Sequence, residues 1–578
     1  MGLCELTRRN SLVNSGEELL KNANYGEDII VGVMDSGVWP ESSSFNDEGM
    51  GPVPKSWNGI CQEGVAFNAS HCNRKLIGAR YYFKGYEAEA GPLNETRDFR
   101  SPRDVDGHGP HTASTGTATG GAPNVRLAIY KICWTAPDQS LAEGVTCLPD
   151  DTLAAFDDAI ADGVHVLSIS LAFQSETKYY TGDPIAIGSL HAVKRNIVVA
   201  CGSGNDGPTP STVANVAPWI ITVGASNINR VFSSPILLGN GMIVEGQTVT
   251  PIRRRRLHPL VYARYVEIRG TTASNTTGTC LPGTLSRKLV RGKVVICINS
   301  DIQASMEVKR AGGVAAILGI SFNEIQVIPF LNPATVTFLD GLNTLLTYIL
   351  TEKHPTLDIT APGFNILAAW SEASSPLKMP EDRRVVKYNI VSGTSMSCPH
   401  VSATINNAVG RPIKNAIGDY ANPFEYGSGH FRPSRAADPG LIYNATYTDY
   451  LLYLCSQNIR QVSSYNCPDK VRAASNLNYP SLAIANMRGS SRTVTRVVTN
   501  VGKDNSTYIL AVSSPPGYIV DIVPKILRFS KLGKKHNFNI TVTAQSSIES
   551  RNEFSFGWYT WSDGVHMVRS PIAVSSSA

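Results

Sequence analysis

The chain has no apolar run approaching about 18 residues, which excludes a membrane-spanning helix. It also has no large excess of one charge: 52 basic residues stand against 47 acidic ones, a formal net charge of +5. That imbalance is too small to argue for nucleic acid as a partner. The one sharp basic run, Arg253–Arg256, reads first as a solvated loop, with a partner or processing site as the alternative. No HExxH and no paired Cys-x-x-Cys is present, so the common zinc patterns are missing. No acidic loop of calcium-binding type stands out, and neither a metal nor a cofactor is expected. The opening segment MGLCELTRRNSLVNSG carries no apolar signal core.

What is present suits a large secreted protein. Over 578 residues, 42% are hydrophobic and 17% charged, ordinary for a chain with large cores. Length alone suggests about four domains, a count that large α/β folds lower. Eleven cysteines point to an oxidising compartment, and several stand close together: Cys61/Cys72, Cys133/Cys147, Cys280/Cys297 and Cys455/Cys467. Short loops are easy to bridge, but spacing leaves the connectivity open. Cys201 and Cys398 look like small buried hydrophobes. Six N-x-Ser/Thr sequons, at Asn68, Asn94, Asn275, Asn444, Asn505 and Asn539, fit a glycosylated secretory product, chance being the alternative for each.

The patterning divides the chain. Residues 152–164 space apolar positions as an amphipathic helix, and Gly163 breaks it before VHVLSIS. IVVAC (197–201) and WIITVGA (219–225) are further apolar strands. Helices alternating with fully apolar strands predict an α/β fold with a doubly wound parallel sheet. Residues 256–355 change character: RGKVVICI reads as a strand, MEVKRA as a helix, and Gly312–Gly313 as the break before VAAILGI. More of the same parallel sheet is the plain reading of that stretch. From about 470 onward strands dominate, and FNITVTA (538–544) alternates strictly, with Phe538, Ile540, Val542 and Ala544 on one face.

Three segments carry chemistry. IVSGTSMSCPHV (390–401) sets Ser395 behind Gly393 and Thr394 at the start of a helix, with Pro399 in its early turns. A serine oxygen there lies near positive backbone dipoles, which suits a nucleophile. IIVGVMDSGVWPES (29–42) is a buried strand ending in Asp35, and DVDGHGPHTAS (104–114) sets His108 between glycines at a helix start. Asp, His and Ser in that order supply an orienting carboxylate, a base and a nucleophile. IVGVMDSGVWPES, DGHGPHTAS and SGTSMSCPHV resemble the three catalytic blocks of plant subtilisin-like serine proteases of the cucumisin-like kind. The resemblance runs from about residue 20 to the C-terminus.

The resemblance implies a serine endopeptidase acting on protein or peptide substrates, with Asp35, His108 and Ser395 as its triad. VVACGSGNDGP (198–208) resembles the block that supplies the oxyanion-hole asparagine, which would be Asn205. The same stretch matches a dinucleotide fingerprint at Gly202, Gly204 and Gly207. Pro208 and Pro210 follow, so no helix opens behind the glycines, and nucleotide binding is set aside. VLSISLA (166–172) resembles the strand that pairs with extended substrate, making Ser168, Ile169, Ser170 and Leu171 candidate peptide contacts; a plain core strand is the other reading. A metal site is the competing chemistry, because Asp104, Asp106, His108 and His111 fall within eight residues, but no second ligand cluster appears. By resemblance His111 is a structural neighbour.

By the same resemblance the fold is a subtilisin-like doubly wound parallel sheet with an inserted protease-associated domain and a C-terminal fibronectin type III-like β-sandwich. The expected divisions are a residual segment 1–20, a catalytic domain from 21–255 and 356–460, the insert at 256–355 and the sandwich at 470–578. An extracellular location, in apoplast or cell wall, and a homodimer formed through the insert are further implications.

Departures from the pattern matter. The family's signal peptide and propeptide do not fit before Asp35. Pro110 replaces a usual threonine, which a helix start tolerates, so a tuned site is expected. HTAST runs directly into GTATGGAP, and HPTLDITAPG (354–363) lacks the segment expected before it. After the serine, HVSATINNAVGRP stops at Gly410 and Pro412, leaving Val401, Ile405, Ala408 and Val409 at helical spacing. The resemblance implies a long apolar helix after the serine; if five or six of its large apolar residues are missing, at ~1.5–3 kcal/mol each, the deficit is of the same order as a domain's total stability of about 5–15 kcal/mol. Two readings follow: an active serine endopeptidase, or a catalytically impaired splice variant or truncated gene model that only binds.

Overall fold

A computed structural model describes residues 21, 23–114, 121–136, 144–173, 180–207, 212–226, 232–238, 243–250, 258–298, 302–319, 328–337, 360–379, 381–402, 437–459, 465–487, 491–545 and 554–576. Seven strands form the main sheet: β1 (Ile30–Asp35), β2 (Leu76–Tyr81), β3 (Arg126–Lys131), β4 (Val166–Ile169), β5 (Val198–Gly202), β6 (Ile221–Ser226) and β7 (Thr360–Pro362). Their spatial order is β7-β6-β5-β4-β1-β3-β2, and every neighbouring pair is parallel. All six residues of β1 and of β3 are buried, as strands covered on both faces require.

The two coverings explain the apolar runs. On one face, Ile30, Met34, Leu167, Ile169 and Val199 pack with Phe156 and Ala159 of helix Pro149–Asp162 and with Ile185 and Leu190 of helix Pro184–Lys194. On the other, Ala200 and Val223 pack against Cys398 of helix Thr394–Ser402. Helix Pro149–Asp162 ends at Gly163, whose φ of +89° suits a residue without a Cβ. Helix Pro184–Lys194 opens with Asp183 Oδ1 accepting from the Ile185 amide at 2.9 Å.

The described residues of 258–337 do not extend the main sheet. Leu260–Tyr262, Val294–Ile298, Ala315–Gly319 and Ala334–Thr337 form a separate parallel four-stranded sheet, with helix Ile302–Arg310 and an apolar core of its own. This unit also reaches upstream of residue 256: Gln247 bridges Val336, and Phe232 and Val249 pack on its core. The C-terminal part is a sandwich of a four-stranded and a five-stranded sheet around one core. In its strand Lys535–Ala544, Phe538, Ile540 and Val542 are buried and Asn539 is exposed, as the alternation predicts.

The four close cysteine pairs are all disulfides: Cys61–Cys72, Cys133–Cys147, Cys280–Cys297 and Cys455–Cys467. Cys201 and Cys398 are free thiols in the interior. All six sequon asparagines are exposed. Among the described residues no helix is long and apolar enough to cross a membrane. Arg253–Arg256, the Gly410–Pro412 stop and the positions Ile405, Ala408 and Val409 lie outside the described residues.

Candidate active site

β1 delivers Asp35 to the carboxyl edge of the sheet, the side on which the loops of parallel strands open together. Its buried carboxylate accepts from His108 Nδ1 at 2.7 Å, from the Ser36 amide at 2.7 Å and from Thr112 Oγ1 at 3.0 Å. Burial by itself would raise the Asp35 carboxyl, but the His108 charge and these hydrogen bonds hold it below the usual range. For His108 the signs reverse: burial pushes the imidazole down, and the Asp35 charge and hydrogen bond outweigh it, leaving it raised. A carboxylate only accepts, so Nδ1 carries the proton and Nε2 presents the lone pair of the neutral ring.

The turn after Asp35 and the histidine helix His108–Ala113 meet backbone to backbone. A Cβ on Gly109 would stand 2.2 Å from the Gly37 carbonyl oxygen, so only glycine permits the approach. The Gly109 amide donates to Ser36 Oγ at 2.9 Å and closes the contact. Pro110 is the third residue of this helix, where an amide has no intrahelical partner to lose, and it is accommodated as expected. Thr112 stands one turn beyond His108, on the face toward Asp35; sequence reasoning passed over it, although the i, i+4 spacing was a usable signal.

Ser395 lies in the first turn of helix Thr394–Ser402. That helix is fastened to the sheet by Cys398, whose Sγ lies 3.2 Å from the Ala200 carbonyl and 3.6 Å from that of Ile169. Ser395 Oγ donates to the Ser170 carbonyl at 3.0 Å, and Ser170 Oγ donates to the Ser395 carbonyl at 2.8 Å. No hydrogen bond joins Ser395 to His108 among the described residues. Both nevertheless line one cleft of about 1130 Å³, together with Ser170, Leu171, Asn205 and Thr394. Asn205 Oδ1 accepts from the Thr394 amide at 3.0 Å and from Thr394 Oγ1 at 3.2 Å. An amide N–H only donates, so the oxygen of Asn205 must face Thr394 and its NH₂ is left for the cleft.

Two of the four candidate peptide contacts require correction. β4 pairs with β1 through Val33–Ser168 and Met34–Ile169, and with β5 through Ser168–Ala200 and Ile169–Cys201. Ser168 and Ile169 are therefore interior, without a free edge for a peptide. Ser170 and Leu171, just beyond the strand, do line the cleft.

The four residues weighed as a metal site do not converge. Asp104 accepts from the Gly107 amide, Asp106 pairs with Lys378, His108 meets Asp35, and His111 Nε2 donates to the Ile366 carbonyl at 3.0 Å. Burial pushes the His111 ring down to about 3, which keeps it neutral. Burial and then the neighbouring Asp106 charge push the Asp104 carboxyl up to about 7. Among the described residues, no group of three or more His, Cys, Asp or Glu side chains is placed to hold a metal ion.

Comparison with known proteins agrees with this architecture. The subtilase family model matches residues 26–409, and a fibronectin type-III domain model matches residues 476–574. Subtilisin-like protease SBT5.6 of Arabidopsis thaliana is 48% identical over an alignment covering 97% of this chain and 82% of the relative. SBT5.5 of the same plant is 44% identical, covering 97% of this chain and 81% of the relative. Subtilisin-like serine-protease S of Lotus japonicus is 38% identical, covering 95% and 82%. The alignment with SBT5.6 spans 652 positions against 578 residues in this chain, so the relative carries residues within that span that this chain lacks. The chain belongs to the subtilase family and is a subtilisin-like serine endopeptidase.

Proposed function

We propose that Asp35, His108 and Ser395 form the catalytic triad of this endopeptidase and that Asn205 donates in its oxyanion hole. The observation that carries this reading is the 2.7 Å Asp35–His108 pair opening on the same cleft as Ser395 and Asn205. Asp35 holds the imidazole in the tautomer whose Nε2 is basic. The Ser395 hydroxyl turns from the Ser170 carbonyl toward His108 and passes its proton to Nε2 as its oxygen attacks the peptide carbonyl. The Asn205 NH₂ and the Ser395 amide donate to the oxygen that becomes negative. His108 then returns the proton to the departing amine, and water completes hydrolysis of the acyl-enzyme by the reverse sequence.

Extended protein or peptide substrates enter along Ser170 and Leu171, whose backbone follows β4 out of the sheet. Residues 232–337 serve as the family's protease-associated insert, which their separate sheet and core support. Secretion, with glycans on Asn68, Asn94, Asn275, Asn444, Asn505 and Asn539, is supported by four disulfides and by the exposure of all six asparagines.

Two observations favour a second reading, a chain that binds but does not cleave. They are the Ser395 hydroxyl held on the Ser170 carbonyl and the residues present in SBT5.6 but missing here. Covalent labelling by a fluorophosphonate probe decides between them. Labelling of the secretory-expressed chain that vanishes in Ser395→Ala supports the triad. Soluble, folded protein that fails to label overturns it.

A further inference from the structure

Lys378 lines the cleft beside His108 and Asp106 and has no part in the chemistry above. Its ammonium pairs with the buried Asp106 carboxylate and lies 5.5 Å from the centre of the Trp370 ring. The second oxygen of Asp106 accepts the His108 amide at 3.1 Å, so one residue ties the lysine to the histidine helix. Trp370 closes the same group, since a Cβ on Gly107 would stand 2.5 Å from its indole. The lysine backbone has φ +55°, a left-handed conformation that side-chain-bearing residues disfavour, and its amide donates to the Ser375 carbonyl at 3.1 Å. A built loop thus presents this side chain to the cleft.

An ammonium carries three donors, and the ion pair with Asp106 uses one. No other hydrogen bond to Lys378 Nζ is present among the described residues, and the side chain keeps 19% of its exposure. Asp106 pairs with Lys378, and Asp106 and Trp370 both meet the start of the histidine helix, whereas Asn205 is held by Thr394. His108 is the group that returns a proton to the departing amine, so the substrate on the amine side of the scissile bond passes the histidine and its neighbours.

We propose that Lys378 is a specificity-determining residue that favours an acidic side chain within the first two substrate residues after the scissile bond. The inference rests on the triad assignment, which tells which side of the cleft receives the amine fragment. A glutamate carboxylate there accepts the unused ammonium donors, whereas the isosteric glutamine offers a neutral oxygen and no compensating charge. Because Asp106 already neutralises part of the lysine's field, the preference is modest, roughly fivefold to tenfold in kcat/KM, and weakens as salt is added.

The test uses the full chain and peptides built on a sequence it cleaves, selected from a random pool. Members of each pair differ only by Glu or Gln at the first or second position after the scissile bond. The Glu/Gln ratio of kcat/KM is expected to be roughly five to ten in the wild type at one of these positions, near one in Lys378→Gln, and below one in Lys378→Glu. Because each ratio is taken within a single protein, a lower folded fraction in a variant cancels. A wild-type ratio of one at both positions, or an unchanged ratio in Lys378→Gln, overturns the proposal. If the wild type is not labelled by fluorophosphonate, the triad reading fails on its own account. Fluorescence anisotropy on Ser395→Ala, with Glu/Gln pairs built on a peptide selected from the same pool for binding, then tests the lysine through binding alone: tighter binding of the Glu peptide, lost in the double variant with Lys378→Gln, supports it, and equal binding overturns it.

Discussion

The catalytic sheet and the C-terminal sandwich solve burial in opposite ways. Every residue of β1 and β3 is buried, including Asp35, Arg126 and Lys131, whereas strand Tyr518–Val523 alternates buried and exposed along its length. A sheet covered on both faces desolvates whatever polar groups its strands contain, so each must be given partners. Lys131 meets Asp98 at 2.6 Å, Arg126 meets Asp28 at 3.1 Å, and Asp35 is held by three donors. A sandwich with wet outer faces sends Asn537 and Asn539 to water and keeps a mostly apolar interior, in which the buried Arg496 and Asn500 donate to backbone carbonyls. The first region can therefore hold a charge in a chosen state at a chosen place. The second supplies cohesion and little chemistry.

Trp561→Ala should give the largest effect on stability, lowering that of the sandwich by about 3–5 kcal/mol because the indole is wholly buried. Calorimetry should show the lowered transition while fluorophosphonate labelling of the folded fraction persists. Labelling lost in step with the sandwich would mean that the two regions are not separable. Asn205→Ala should cut turnover by roughly 10²–10³, measured as kcat on a cleaved peptide. A loss below tenfold would remove the amide from the oxyanion hole.

The smallest effect concerns Asp106, whose negative charge raises His108. Asp106→Asn removes that charge and leaves the Lys378 charge uncompensated, and both changes lower the His108 pKa. The proposed base works in its neutral form, so activity is expected to rise as pH climbs through that pKa. The acid limb of the kcat/KM profile should therefore move to lower pH in Asp106→Asn. A limb that stays in place, or moves upward, would show that the buried charges of this sheet do not tune its base.

Much of the fold and of the candidate site was legible because local chemistry announced it. Continuous apolar runs marked β1, β4, β5 and β6, and cysteines a short loop apart found one another. The strand ending in Asp35 and the glycines around His108 mark places where a chain must turn sharply while holding a polar group. Other features depended on partners distant in sequence. Nothing in VLSISLA tells whether its strand is central or at an edge, and pairing with β1 and β5 removed Ser168 and Ile169 from the cleft. Thr394 as the anchor of Asn205, the bridge from Gln247 to Val336, and Lys378 beside His108 belong to the same class. Each joins segments that carry no shared motif.

The hold of Thr394 on Asn205 affects tolerance to thermal motion. The asparagine hangs on the residue immediately before the proposed nucleophile, so a displacement of the helix start carries both groups in the same direction. Vibration that would blur either position against the sheet is then largely common to the two. Their separation, on which the proposed oxyanion hole depends, is then less affected than either position taken alone.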